Sequence, residues 1–155
     1  MITQLIAAMV GTVAFALLFS VPRSYYVNVG IIGTIGWASY LLLKEVLYNS
    51  FAIVLSTVIV VFLSRLSAVI RRCPATIFII SGLFPLIPGG GIYWTTYYLV
   101  VNAPRRAMST GYSALKAAVA IVLGIVLVNI LPQSLFRKLG GLFSRRRAVR
   151  RKRMK

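Results

Sequence analysis

Histidine is absent from this 155-residue sequence, and it holds one acidic side chain, Glu45, and one cysteine, Cys73. Each shortage removes a class of chemistry. Without histidine there is no Ser-His-Asp triad and no His-ligated zinc. With a single carboxylate there is no paired-carboxylate hydrolysis and no two-metal phosphoryl transfer. A lone cysteine excludes an internal disulfide and a cysteine-cluster metal site. No nucleophile–base pair can be assembled, so the chain is not read as an enzyme, and neither a metal nor a cofactor is expected.

Charge is scarce as well: 12% of residues are charged and 59% are hydrophobic, with a mean hydropathy of +0.90. Globular domains lie nearer 25% charged and 45–50% apolar. A soluble fold of this size leaves too much surface exposed to hide so many apolar side chains. Lipid is the solvent in which this composition is stable, and the fold class is an all-α membrane protein.

A spanning helix needs about 20 mostly apolar residues. Five candidates are present, at about Ile2 to Val21, Tyr26 to Leu43, Val46 to Leu66, Pro74 to Val101 and Tyr112 to Leu131. The first lacks a positive leading region and a small-residue cleavage site, so it reads as a span rather than a signal peptide. The second is rich in glycine (Gly30, Gly33, Gly36). The transmembrane domain is thus 1–132, and 133–155 is a basic tail expected to be disordered beyond a short interfacial helix.

The 18 basic residues set the orientation. Ten fall between Arg137 and Lys155. With that tail in the cytoplasm and five crossings, Arg23, Arg65, Arg71 and Arg72 join it inside, and Lys44, Arg105, Arg106 and Lys116 lie outside. The Arg105-Arg106 pair then faces against the rule. A four-span alternative, with the fourth segment re-entrant, moves that pair inside and places both ends in the cytoplasm. The tail itself reads as a topology anchor on anionic lipid, at ~1 kcal/mol per basic residue near the surface. Nucleic acid is not expected as a partner, because the tail has few interleaved aromatics and no folded nucleic-acid module accompanies it.

The most informative stretch is 81–98, where Pro85, Pro88, Gly89, Gly90 and Gly91 interrupt a hydrophobic segment. Each proline lacks an N–H and clashes with the preceding turn. Each glycine costs roughly 1 kcal/mol against alanine in a helix. The fourth span is therefore expected to break, with a second half-helix starting near Gly91 or Ile92. Irregular backbone at membrane depth survives where it is buried in protein or lines a wet cavity. In transporters, the N–H groups at such a half-helix start face anionic groups of the substrate. The expected substrate-binding set is Pro85, Pro88, Gly89, Gly90 and Gly91, with Tyr93, Thr95 and Thr96 close by. Trp37 and Tyr97 suit an interfacial belt. Ser56, Thr57, Ser64 and Ser67 read as helix packing, Asn129 as interhelical glue, and Glu45 with Lys44 as a surface ion pair. Lys116 is a second choice for meeting an anionic substrate.

Four pieces, in order, resemble the threonine/serine exporter family in its small, split, C-terminal-half-like type. They are Phe-Ala-Leu-Leu-Phe-Ser-Val-Pro-Arg at 15–23, Gly-Thr-Ile-Gly-Trp at 33–37, Arg-Arg-Cys-Pro-Ala-Thr-Ile-Phe at 71–78 and Pro-Leu-Ile-Pro-Gly-Gly-Gly-Ile-Tyr at 85–93. The last is the most specific. The resemblance runs from about Phe15 to Pro132. It implies export of a small amino acid or carboxylic acid across the bacterial cytoplasmic membrane. It also implies a separately encoded, larger membrane subunit and a homo- or hetero-oligomer. The alternative is a non-transporting membrane scaffold or assembly protein with a lipid-binding tail.

Overall fold

The computed structural model describes residues 1–138 and Gly140. Among these residues it is all helix: α1 (Ile2–Leu18), α2 (Tyr26–Leu43), α3 (Asn49–Arg71), α4 (Thr76–Leu83), α5 (Gly89–Val100) and α6 (Pro104–Asn129), with short 3-10 turns at Arg23–Tyr25 and Phe84–Leu86. Residues 133–138 form a further helical turn. The expected basic tail beyond it lies, apart from Gly140, outside the described residues.

Among the described residues, three stretches are each long and apolar enough to cross a membrane: Arg23–Leu43, Asn49–Arg71 and Pro104–Asn129. Thr76–Leu86 and Gly89–Val100 qualify together as one span bent by 54°. The first expected span is a shorter apolar helix of 17 residues, Ile2–Leu18. Its rise of about 25 Å falls a little short of a typical hydrocarbon core.

Several expected boundaries move; the third helix runs on to Arg71, five residues past Leu66. The third helix starts at Asn49 rather than near Val46, because the N–H groups of Val46 and Leu47 both donate to the Leu43 carbonyl and close a turn. The last helix starts at Pro104, eight residues before the expected Tyr112. Pro104 suits the first helical position, where no N–H is needed. The polar residues that follow do not stop the helix, since the Thr110 and Ser113 hydroxyls donate to the Arg106 and Ser109 carbonyls one turn back.

Glycines set the helix spacing. A Cβ at Gly33 would run into Thr12 of α1, and one at Gly36 into Val60 of α3. At Gly82 it would meet Ile32 at 3.0 Å and Val60 at 3.3 Å, which seats α4 in the groove between α2 and α3. At Gly124 it would lie 2.6 Å from the Thr57 Cβ and 2.9 Å from the Val54 carbonyl oxygen. In lipid, helices associate through this kind of close small-residue packing rather than through a hydrophobic drive. Ser56, Thr57, Ser64 and Ser81 are fully buried in these seams, and their hydroxyls have no hydrogen-bond partner among the described residues.

α3 and α6 run parallel. Thr57 faces Gly124, and further along Arg65 reaches the C-terminal end of α6. There its Nη1 donates to the Val128 carbonyl at 2.7 Å, which also accepts the Leu131 N–H at 3.1 Å, and to the Leu131 carbonyl at 3.4 Å. Its guanidinium lies 4.5 Å from the centre of the Phe136 ring, which is fully buried. Arg65 thus clamps α3 onto the end of α6. α5 packs back along α6, with Gly91 against Ala114 and Thr95 against Gly111. None of the α5 residues is fully buried, and its main packing is against α6.

Candidate functional site at the interrupted helix

The break is built by a short sequence of backbone decisions. α4 gives way to a 3-10 turn at Phe84–Leu86 with Pro85 in its first positions. Ile87 is extended (ψ 129°), and Pro88 caps the next helix with φ −76° and ψ 53°. α5 then starts at Gly89, two or three residues before the expected Gly91 or Ile92, because a proline at the cap needs no N–H partner and leaves the glycines free to turn at once. The Gly89 N–H donates to the Ile87 carbonyl at 2.8 Å, and the Ile92 N–H donates to the Pro88 carbonyl at 3.1 Å. No backbone carbonyl among the described residues accepts from the N–H groups of Gly90 and Gly91. No side chain among the described residues caps this helix end.

The turn opens on a cleft of about 270 Å³. Pro85 to Gly91 form one wall, Trp37 and Tyr40 of α2 and Asn49 and Ile53 of α3 the second, and Ser113, Ala114 and Ala117 of α6 the third. No charged side chain among the described residues lines it. The Tyr40 hydroxyl donates to Asn49 Oδ1 at 2.7 Å, and the Trp37 and Tyr40 rings lie 5.2 Å apart. A Cβ at Gly89 or Gly90 would meet nothing within 4 Å, whereas one at Gly91 would lie 3.1 Å from the Ala114 Cβ. The first two glycines therefore hold space open, and the third brings α5 onto α6.

Five of the eight residues nominated from the sequence line the cleft: Pro85, Pro88, Gly89, Gly90 and Gly91. Tyr93, Thr95 and Thr96 do not line it. The Thr95 hydroxyl donates to the Gly91 carbonyl at 2.7 Å and lies 3.0 Å from the Thr110 hydroxyl, tying α5 to α6. The Thr96 hydroxyl donates to the Ile92 carbonyl at 3.1 Å. Tyr93 is exposed and packs edge-on against Trp94. Lys116 lies with its Nζ 4.6 Å from the centre of the Tyr112 ring, beside a separate apolar cavity between α3 and α6.

Sequence reasoning missed Tyr40, Asn49 and Ser113, and it assigned Trp37 to an interfacial belt. A partial signal was available: Trp37 and Tyr40 are three apart on one helix and so share a face. Asn49 and Ser113 come from other helices, and tertiary packing alone brings them here.

These features define a multi-pass helical membrane protein whose bundle carries one interrupted helix opening on an uncharged cleft. A family model described as Threonine/Serine exporter, ThrE, matches residues 4–131, and the chain belongs to that family. No match to the chain was found among curated proteins or among solved structures.

Proposed function

We propose that this chain is one subunit of a secondary exporter for a small amino acid of the threonine/serine kind, or for a small carboxylic acid, in the bacterial cytoplasmic membrane. The observation that carries the reading is the α4–α5 break: two N–H groups at a helix start with no partner among the described residues, opening on a cleft that no charged side chain among those residues lines. The positive end of α5 and the Gly90 and Gly91 N–H groups would hold a carboxylate. The oxygens of Tyr40, Asn49 and Ser113 and the face of Trp37 would suit an ammonium group. A charge at a helix start is worth about 0.3–1 kcal/mol when exposed and up to ~2 kcal/mol when partly buried. Such a site binds weakly and releases readily, which a transporter needs. Pro85, Pro88 and Gly89 shape the turn. Thr95 holds α5 on α6, and Tyr93 and Thr96 act from its outer faces.

A larger membrane subunit of the same family completes the machine. Alternating access is commonly built from two related repeats, and a chain of this size supplies one. The exposed Ile92, Tyr93, Leu99 and Val100 of α5 give that subunit an apolar surface to cover. If export is proton-driven, the titrating carboxylate comes from the partner, because Glu45 is the one acid here and it does not line the cleft. The C-terminus lies in the cytoplasm, with its basic tail on anionic lipid.

Trp37 lines the cleft, and Trp94, the second of the two tryptophans, does not. In a Trp94→Phe background, Trp37 fluorescence is titrated with threonine, serine and small carboxylic acids, with and without the larger subunit. A saturable change with at least one of them is expected. A flat response to all, in both preparations, removes the cleft as the binding site.

A further inference from the structure

The opposite end of α3 holds a second cavity, of about 370 Å³, whose chemistry is the reverse of the first. It lies where α3 ends, beside the start of α4 and residues 133–137. Asn49 lines one cavity and Val69 the other. Twenty residues of helix separate them, or about 30 Å. Three guanidinium side chains line this second cavity, from Arg65, Arg72 and Arg137, together with the Gln133 amide. The only acidic side chain of the protein, Glu45, precedes α3 at its far end. No carboxylate side chain of the chain is therefore at hand to neutralise three like charges around one space.

The arginines are held there in different ways. Arg65 is held by the Val128 and Leu131 carbonyls and by the Phe136 ring beside its guanidinium. Those bonds use Nη1, and Nε and Nη2 have no partner among the described residues. Arg72 caps α3 in the left-handed region, with φ 55° and ψ 46°. That position ordinarily takes glycine, and an L side chain there is strained. Arg137 follows directly on Phe136, whose burial anchors the 133–138 turn. Between the charges the walls are apolar: Ala68, Val69, Ala75 and Phe136. The cavity is thus charged and apolar at once, and it sits at helix ends.

We propose that this cavity binds a phosphate-type oxyanion, the headgroup of an anionic phospholipid. Arginine forks match phosphate oxygens in pairs, and basic pockets between helix ends on the cytoplasmic side of a bundle take lipid headgroups. The site is separate from the cleft at the break and does not rest on the export reading. A soluble phosphate would use the same donors, and the experiment separates the two sources.

The test uses the full-length protein purified in detergent. Native mass spectrometry counts bound phosphatidylglycerol against phosphatidylcholine, and a thermal shift with inorganic phosphate is read in parallel. Wild type should retain phosphatidylglycerol selectively. Arg137→Gln, at an exposed residue, should weaken retention by roughly fivefold, and Arg72→Gly with Arg137→Gln by roughly that factor again. Glycine suits the backbone at 72, so the lipid-free Arg72→Gly protein should melt no lower than wild type. Arg150→Gln with Arg151→Gln, in the tail, should weaken retention less than Arg137→Gln does, because a detergent micelle offers the tail no charged membrane surface. Selective lipid retention lost in the cavity variants identifies the headgroup. A phosphate shift lost in them without lipid selectivity identifies a soluble anion in the same site. Equal loss in the tail and cavity variants, or no loss in the cavity variants by either readout, overturns the proposal.

Discussion

Replacing Gly89 and Gly90 together by alanine separates the two possible uses of the break. A Cβ at either position meets nothing within 4 Å, so neither methyl is opposed by packing. Alanine is the better helix former by roughly 1 kcal/mol per residue in a helix interior, and less in a first turn. The pair should therefore stabilise α5 by at most about 2 kcal/mol. A helical Cα–Cβ bond tilts toward the N-terminus, so both new methyls project toward the region in front of the Gly90 and Gly91 N–H groups. If a carboxylate sits there, the variant forfeits up to ~2 kcal/mol of helix-start interaction, or roughly 30-fold in apparent affinity. Thermal unfolding in detergent and substrate efflux from proteoliposomes should thus move in opposite directions, stability up and transport down. A variant with raised stability and undiminished efflux would show that the break only shapes packing.

Other substitutions test the frame around the cleft. Gly124→Ala places a methyl 2.6 Å from Thr57 Cβ and 2.9 Å from the Val54 carbonyl, and that carbonyl cannot rotate away. It should destabilise the α3–α6 seam by about 1–3 kcal/mol, read as a lowered melting temperature in detergent. Ser81→Ala removes a buried hydroxyl that has no partner among the described residues and should be neutral or stabilising; a clear loss of stability or transport would mean that the hydroxyl has a ligand. Thr95→Val breaks the contacts to Gly91 and Thr110 and should lower transport less than the double alanine variant, because the backbone donors stay in place. For orientation, Arg150→Cys in a Cys73→Ala background should resist a membrane-impermeant thiol reagent in intact cells, and ready labelling would reverse the topology.

What the sequence disclosed follows from which forces are local. The broken fourth segment was legible because Pro85, Pro88 and the three glycines act on their own backbone. The second helix was legible because its apolar run ends at Lys44-Glu45. The start of α6 was not, since Arg105 to Thr110 looks like a loop by polarity while its hydroxyls bond back within the helix. The glycines of α2 could be seen but not their partners, Thr12 for Gly33 and Val60 for Gly36, which depend on how helices dock. The cleft was half legible for the same reason. Its backbone wall is written in one run of residues, while Tyr40, Asn49 and Ser113 arrive from three helices. Thr95 and Thr96 were close in sequence to the break, yet side-chain hydroxyls in a helix readily satisfy the carbonyl one turn back, and both do so.

The proposed role of this chain is export of a small carboxylate-bearing solute as one member of a pair. The direct measurement is efflux of labelled threonine, serine and a panel of small carboxylic acids from proteoliposomes. Three preparations are compared: the chain alone, the larger family subunit alone, and both together. Efflux of at least one of these solutes from the paired preparation, with little from either chain alone, is the expected result. No efflux of any of them from the pair would contradict the export reading, and full efflux from the single chain as a monomer would contradict the need for a partner.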